Sequence, residues 1–325
     1  MDSVLIIGGT RFIGRHTVSE FRDRGYSVSI FNRGHHENPF AEGSGIDHIE
    51  GDRTDDSALA RAQTVVNPDV VVDCTAYHPH DVEQATSIFD DADAYVYISS
   101  GAAYGEEVVP KREDETPLCA CTPAQARDET AATYGNRKAA GDRAVFEAAA
   151  DGVRAMSVRP PIVFGPHDYT GRFDYWIDRV TQFDELLVPH TKLRQLVYVR
   201  DVASAIRTIA ESGTAGNAYN VGTHTIPTLS EWLELIATAC ETSVTPVFVD
   251  HHRLAAVGLD PDVFPLYRDR PHVLSTDKLE ALGWKPTPPE DAVTATVAHV
   301  TATGTESEVG PDHSETQPVL ESIVQ

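Results

Sequence analysis

A chain of 325 residues, 41% of them apolar, holds enough apolar surface for a sizeable core. That excludes global disorder and suits a large α/β domain with a smaller appendage. Acidic residues outnumber basic ones 50 to 26, and the formal charge of −24 repels polyphosphate backbones, which argues against general binding to nucleic acid or an anionic membrane.

Only five of the bases are lysine, and an acidic, arginine-biased surface of this kind resembles proteins that work in concentrated intracellular salt. No basic leader precedes the first apolar run, and no run approaches the length of a membrane span. Cys74, Cys119, Cys121 and Cys240 are sparse and lack metal spacing. A reduced cytoplasmic protein with ordinary thiols is the expectation.

In chain order, residues 4–7 form an apolar run suited to a buried strand. It ends in Gly8-Gly9-Thr10-Arg11-Phe12-Ile13-Gly14 and is followed by a helical pattern over 15–24. Strands are expected over 27–31, 46–49, 69–73, 94–99 and 154–158, with helices over 56–66, 80–89 and 134–150. Continuous Val/Ile strands alternating with such helices predict right-handed βαβ units and a doubly wound parallel sheet, the Rossmann α/β architecture. After Arg159-Pro160-Pro161 the rhythm loosens. A strand over 196–199, a helix over 201–210 and a strand over 218–221 read as continuations of the main body. Helices over 173–182 and 229–240 and a strand over 247–249 read as a small C-terminal substrate-binding lobe, and helices over 276–282 and 290–300 close the fold. The expected division is a dinucleotide-binding core over 1–165, the remaining sheet elements interleaved with the lobe over 166–302, and a disordered acidic tail over 303–325.

The glycine turn is the first chemical signal. A strand ending in small residues and opening a helix lets backbone N–H groups approach a pyrophosphate, so residues 8 to 14 are candidates for cofactor contact. Sites that prefer NAD place an acid about 20 residues downstream for the ribose 2′-hydroxyl. Here Asn32-Arg33 ends the second strand without one. Arg33, with Arg11 in the turn, favours a 2′-phosphate and hence NADP. Asp52, in Gly51-Asp52-Arg53, is placed either to meet the adenine edge or to cap the next helix. Arg53, and Thr75 and Ala76 after the fourth strand, complete the expected cofactor set.

The second signal is Ser100 with Tyr134-Gly135-Asn136-Arg137-Lys138. Residues four apart share a helix face, so Tyr134 and Lys138 are expected to point into one cleft. An ammonium beside the phenol favours phenolate, and a tyrosine so tuned moves the proton that accompanies a hydride. Ser100, at a strand tip, suits a hydrogen bond to the same oxygen.

With these residues in view, the chain resembles the extended short-chain dehydrogenase/reductases, the epimerase/dehydratase superfamily, over residues 3 to about 300. The resemblance rests on the glycine turn, Ser99-Ser100-Gly101-Ala102-Ala103-Tyr104-Gly105 and Tyr134-Gly135-Asn136-Arg137-Lys138. Arg159-Pro160-Pro161-Ile162-Val163-Phe164-Gly165-Pro166, Val199-Arg200-Asp201-Val202 and the run from Asp277 to Trp284 extend it. It implies Tyr134 as catalytic base, Lys138 as ribose anchor and Ser100 as carbonyl-side partner, with NAD(P) as cofactor and a small lobe that grips the substrate, often an activated sugar. Arg194, and Arg268 or Arg270, match phosphate-binding arginines of the sugar-nucleotide epimerases. His167, in Gly165-Pro166-His167-Asp168-Tyr169, is expected on the substrate side. The aromatic residues that follow, Phe173, Tyr175 and Trp176, either line that side or build the core of the small lobe.

Three departures qualify the resemblance. Arg11 replaces the middle glycine, as in an atypical branch that includes chloroplast stem-loop-binding proteins. The acid after the second strand is missing. Ile162 stands where many epimerases carry an asparagine that helps hold a nucleotide diphosphate. The expected function is therefore NAD(P)-dependent hydride transfer on a sugar or sugar nucleotide, against NADP-dependent reduction of a non-sugar carbonyl or a non-catalytic dinucleotide- or RNA-binding module. The histidine pairs show no recognisable metal spacing, so no metal is expected. Ala139, Ala140, Val145, Phe146, Ala148 and Ala149 continue the Tyr134 helix and suit a homodimer contact as well as burial within one chain.

Overall fold

A computed structural model describes residues 1–40, 43–304 and 307–324. The chain divides into two compact units: Met1–Pro161 with Val199–Gly222 and Leu274–Pro286, and Ile162–Tyr198 with Thr223–Val273 and Thr287–Gln325.

The first unit opens with β1 (Ser3–Ile7), α1 (Phe12–Asp23), β2 (Ser27–Asn32), β3 (Ile46–Glu50), α2 (Asp56–Val66), β4 (Val70–Asp73), α3 (Pro79–Ile88), β5 (Ala94–Ile98), α4 (Tyr134–Ala150) and β6 (Ala155–Arg159). Beyond it the chain forms β7 (Ile162–Phe164), α5 (Asp174–Gln182), β8 (Glu185–Pro189), β9 (Leu196–Tyr198), α6 (Val199–Ser212), β10 (Ala218–Asn220), α7 (Leu229–Ala239), β11 (Thr245–Val249), α8 (His251–Ala256), α9 (Asp277–Glu280), α10 (Pro289–Thr303) and α11 (His313–Val324).

In the first unit seven parallel strands lie in the order β10-β6-β5-β4-β1-β2-β3. β4 and β5 are buried along their whole length, which is why they read as continuous apolar runs with no alternation, interrupted only by Asp73 at the end of β4. The chain runs outward from β1 through β2 to β3, then crosses back to β4 on the other side of β1. The carboxyl ends of β1 and β4 therefore flank the point where strand order reverses, the place where open α/β sheets form their ligand crevice. Leu5, Phe31, Leu59, Val71, Phe89, Tyr95 and Val145 belong to one packed cluster beneath it.

The second unit holds two parallel strand pairs, β7 with β9 and β8 with β11. Phe164, Phe173 and Trp232 pack together at ring separations of 4.4 to 5.7 Å and form its aromatic centre. Tyr175 and Trp176 are buried here too, so the aromatic run after His167 belongs to the core of this unit.

Three expectations change. The strand expected over 196–199 does not continue the main sheet: β9 pairs with β7, and Val199 already begins α6. The helix over 276–282 is one turn, Asp277–Glu280. The tail is not solvated throughout. Asp312 and Glu315 form reciprocal backbone–side-chain bonds of 2.9 and 3.0 Å that start α11, which buries Val319 and Leu320 beside β8. Its acidic composition hid a two-residue apolar stripe. Thr305, Glu306 and Gln325, part of that expected tail, lie outside the described residues.

Candidate active site

The glycine turn leaves β1 through Gly8 at φ +91°, a left-handed conformation that glycine adopts without strain. A Cβ on Gly8 would overlap the Thr75 methyl, and one on Gly14 would overlap the Gly8 carbonyl. Strand, turn and helix thus meet at backbone distance. α1 begins at Phe12 with no acid in its first turn, so its N–H dipoles keep their attraction for an anion. Arg11, exposed, occupies the N-cap position without capping through its side chain.

At the ends of β2 and β3, the Asn32 carboxamide oxygen accepts from Gly34 N at 2.8 Å, and Arg33 is exposed. Asp52 accepts from Thr54 N and Oγ1 at 2.9 and 2.8 Å; these bonds, with Arg33 and His35 nearby, hold its carboxyl below the usual range. The cap of α2 is Asp55, bonded to Ser57 N, which leaves Asp52 outside the helix. Arg53 turns inward. Its Nη2 lies 2.5 Å from Asp73 Oδ2 and its Nη1 3.0 Å from Asp81 Oδ1, with the side chain 11% exposed, rather than reaching an open dinucleotide surface.

Thr75 and Ala76 follow β4 in the loop leading to α3. Thr75 meets the glycine turn, and the Ala76 carbonyl accepts from Lys138 Nζ at 2.8 Å. Lys138 also donates to the Ile98 carbonyl, at the end of β5, at 2.7 Å. The residue is 3% exposed, with the rings of Tyr97, Tyr77 and Tyr134 centred 4.9, 5.0 and 5.8 Å from Nζ. Burial pulls the ammonium down to about 8, against the pull of Asp73, Asp142 and Asp81 in the other direction.

Tyr134 is half-buried at the first position of α4. A Cβ on Gly135 would overlap the Ala102 carbonyl, so the start of α4 sits directly on the turn Gly101–Ala103. Ser100 caps that turn: its Oγ accepts from Ala102 N at 3.1 Å and keeps its own proton to donate elsewhere. Upstream, Asp128 accepts from Thr130 and Thr133 hydroxyls at 2.6 and 2.8 Å and fixes the approach to Tyr134. The carboxyl edge of β1, β4 and β5 thus gathers the glycine turn, Thr75, Ala76, Ser100, Tyr134 and Lys138 in one unit. Tyr77, Asp73 and Asp81 were not singled out from sequence. The Pro79-His80-Asp81 helix start was a legible cap signal; the long-range pairing to Arg53 was not.

His167, Arg194 and Arg268 belong to the second unit. Arg194 donates to the Tyr267 carbonyl at 2.8 Å, and burial, with Arg268 and Arg172 nearby, pulls it down to about 10. Three guanidinium groups therefore share one neighbourhood. Arg270 is exposed beside Asp269. His167, at φ +67°, stacks edge-on with His299 at 4.3 Å. Among the described residues no helix is long and apolar enough to cross a membrane.

A family model described as the NAD dependent epimerase/dehydratase family matches residues 4–222. A chloroplast stem-loop binding protein of 41 kDa from Arabidopsis thaliana is 25% identical over 301 residues, 87% of this chain and 75% of that one. The dTDP-D-glucose 4,6-dehydratase of Mus musculus is 24% identical over 62% of this chain and 54% of its own. Among solved structures, a dTDP-glucose 4,6-dehydratase from Bacillus anthracis in complex with NAD superposes with TM-score 0.74 at 18% identity, covering 93% of this chain and 97% of that one. A UDP-glucose 4-epimerase from Thermotoga maritima with UDP-glucose gives 0.72 at 20% identity over 93% and 100%.

Proposed function

This chain belongs to the NAD dependent epimerase/dehydratase family, and from that premise we propose that it moves a hydride between a nicotinamide dinucleotide and a carbinol or carbonyl of a sugar nucleotide, with Tyr134 as the base. The observation that carries the reading is the convergence of Tyr134, Lys138 and Ser100 beside the glycine turn at the sheet's switch point.

The residues fit the cofactor: the Gly8 and Gly14 positions form a cradle that any Cβ would fill. Gly8, Gly9, Thr10, Arg11, Phe12, Ile13 and Gly14 would hold the pyrophosphate, Asn32, Arg33 and Asp52 the adenosine end, Thr75 and Ala76 the flank, and Lys138 the ribose. The phosphorylated dinucleotide is favoured by Arg33 and Arg11 and by the lack of an acid closing β2. When bound, the nicotinamide supplies a reversible hydride acceptor. Tyr134 Oη takes the hydroxyl proton as the hydride leaves, and returns it in the reverse direction. The Lys138 ammonium favours the phenolate by charge, and Ser100 donates to the reacting oxygen. In the second unit Arg194 and Arg268, joined by Arg172, suit the phosphates of a nucleotide diphosphate. His167 lies in the same unit as these arginines and is assigned to the substrate.

The test is a panel of dTDP- and UDP-sugars incubated with each dinucleotide, followed by absorbance and product NMR. Conversion by the wild type and its loss in Tyr134→Phe, with dinucleotide binding kept, is the expected result; equal conversion by both proteins ends the proposal.

A second reading, an RNA-binding module, is favoured by the likeness to the stem-loop binding protein. The charge of −24 opposes it. Filter binding of structured RNA across a salt series separates the two, because phosphate contacts weaken steeply with salt.

A further inference from the structure

The loop between β4 and α3 is held in an unusual way. Four successive backbone amides donate to only two carboxylates: Thr75 N and Ala76 N to Asp73 Oδ1 at 3.0 and 2.9 Å, Tyr77 N and His78 N to Asp81 Oδ2, both at 2.9 Å. Each carboxylate spends one oxygen on the loop and turns the other to Arg53, which meets Asp73 Oδ2 at 2.5 Å and Asp81 Oδ1 at 3.0 Å and donates to the Asp81 carbonyl at 3.0 Å. Tyr95 Oη adds a bond to Asp73 Oδ2 at 3.2 Å. One guanidinium therefore clamps both ends of the loop.

Two consequences follow from chemistry alone. The loop's amides are consumed, so this loop does not offer an anion-binding row of N–H groups. What it presents is a carbonyl, that of Ala76, and the Tyr77 ring; both face the Lys138 ammonium. A buried charged triad is costly to assemble, and an apolar triad of equal volume would pack as well but could not hold four amides. Its return is geometric.

We propose that Arg53 is a positioning residue: by clamping Asp73 and Asp81 it fixes loop 74–78 so that Ala76 and Tyr77 seat the Lys138 ammonium. Its catalytic meaning rests on the reading given under Proposed function; the clamp itself does not. Arg53 touches neither cofactor nor substrate in this scheme and acts only through the loop.

The experiment reads the accessibility of lysine amines in the full chain, by mass spectrometry after brief acetylation, together with NADH and NADPH affinity by fluorescence. The variants are Arg53→Gln and the conservative Arg53→Lys. Lys111 is the control: it lies in the same unit, is 1% exposed and pairs with Glu107 at 2.9 Å. Arg53→Gln should speed acetylation of Lys138 by about tenfold, as expected when a closed site opens locally. Lys111 should stay slow, dinucleotide affinity should fall by about tenfold, and Arg53→Lys should recover part of both. An unchanged Lys138 rate, or Lys111 rising by the same factor, overturns the proposal, since the second result marks general loosening. If Arg53→Gln fails to fold, Arg53→Lys is read alone, because its single ammonium cannot meet both carboxylates while both still accept the loop amides. A rise at Lys138 supports the clamp and an unchanged rate overturns it. A wild type that binds neither NADH nor NADPH defeats the functional reading, while the acetylation pattern still decides the clamp.

Discussion

Lys138 Nζ donates across 2.8 Å to the carbonyl oxygen of Ala76, tying the helix that begins at Tyr134 to the loop that leaves β4. A second bond of 2.7 Å to Ile98 O fastens the same ammonium to the end of β5. One charged group thus joins three elements at the sheet's carboxyl edge, and its protonation state matters to all of them.

Burial holds that ammonium near 8, below the ordinary lysine value of 10.5. Dinucleotide affinity that depends on the charge should therefore weaken as pH rises through 8, by up to about tenfold per unit. The sign for stability is opposite. Between 8 and 10.5 the unfolded chain binds more protons than the native one, so the first unit gains stability with pH across that window. Fluorescence titration with NADH from pH 6.5 to about pH 9.5, set beside thermal unfolding, checks both directions.

Gly135→Ala forces a Cβ against the Ala102 carbonyl and must shift the start of α4 relative to the Ser100 turn. A displacement of this kind should cut turnover by roughly 10- to 100-fold while changing dinucleotide affinity far less. Steady-state kinetics with a converted substrate, together with binding titrations, separate the two effects.

Asp174, buried in the second unit near Asp168 and Asp178, is pushed up to about 7 by burial first and by those carboxylates second. Between 3.8 and 7 the native state binds the extra proton, so stability falls as pH climbs through that range and is lowest above it. Asp174→Asn should stabilise the protein at pH 8 by on the order of 1–3 kcal/mol and flatten the dependence. Unfolding midpoints at several pH values measure it.

Removing residues 311–325 should destabilise the second unit by about 2–4 kcal/mol, since Val319 and Leu320 lose their burial. The bonds from Tyr175 Oη and Arg179 Nη2 to the Pro311 carbonyl, 3.1 and 3.0 Å, go as well. Denaturant unfolding of the truncated chain against the full one gives the figure.

Much of the first unit was readable from its residues because the information is local. Residues 70–72 and Ala94–Ile98 are unbroken apolar runs, and Tyr134 and Lys138 share a helix face by spacing alone. What escaped depends on distant partners. Arg53 follows the Gly-Asp pair that suggests cofactor contact, yet its inward turn is set by Asp73 and Asp81, 20 and 28 residues away. The pairing of Leu196–Tyr198 with Ile162–Phe164 likewise has no local signature. The C-terminal helix was different: Asp312 and Glu315 are a capping box visible in the sequence, overridden by the acidic composition around it.

The decisive measurement is thermal unfolding with NAD+, NADH, NADP+ and NADPH in molar salt, because a ligand bound only by the folded state raises its stability with the logarithm of saturation. A raised midpoint is predicted, larger with the phosphorylated pair and diminished in Lys138→Met. An unmoved midpoint with all four at millimolar concentration would refute a dinucleotide site at this crevice.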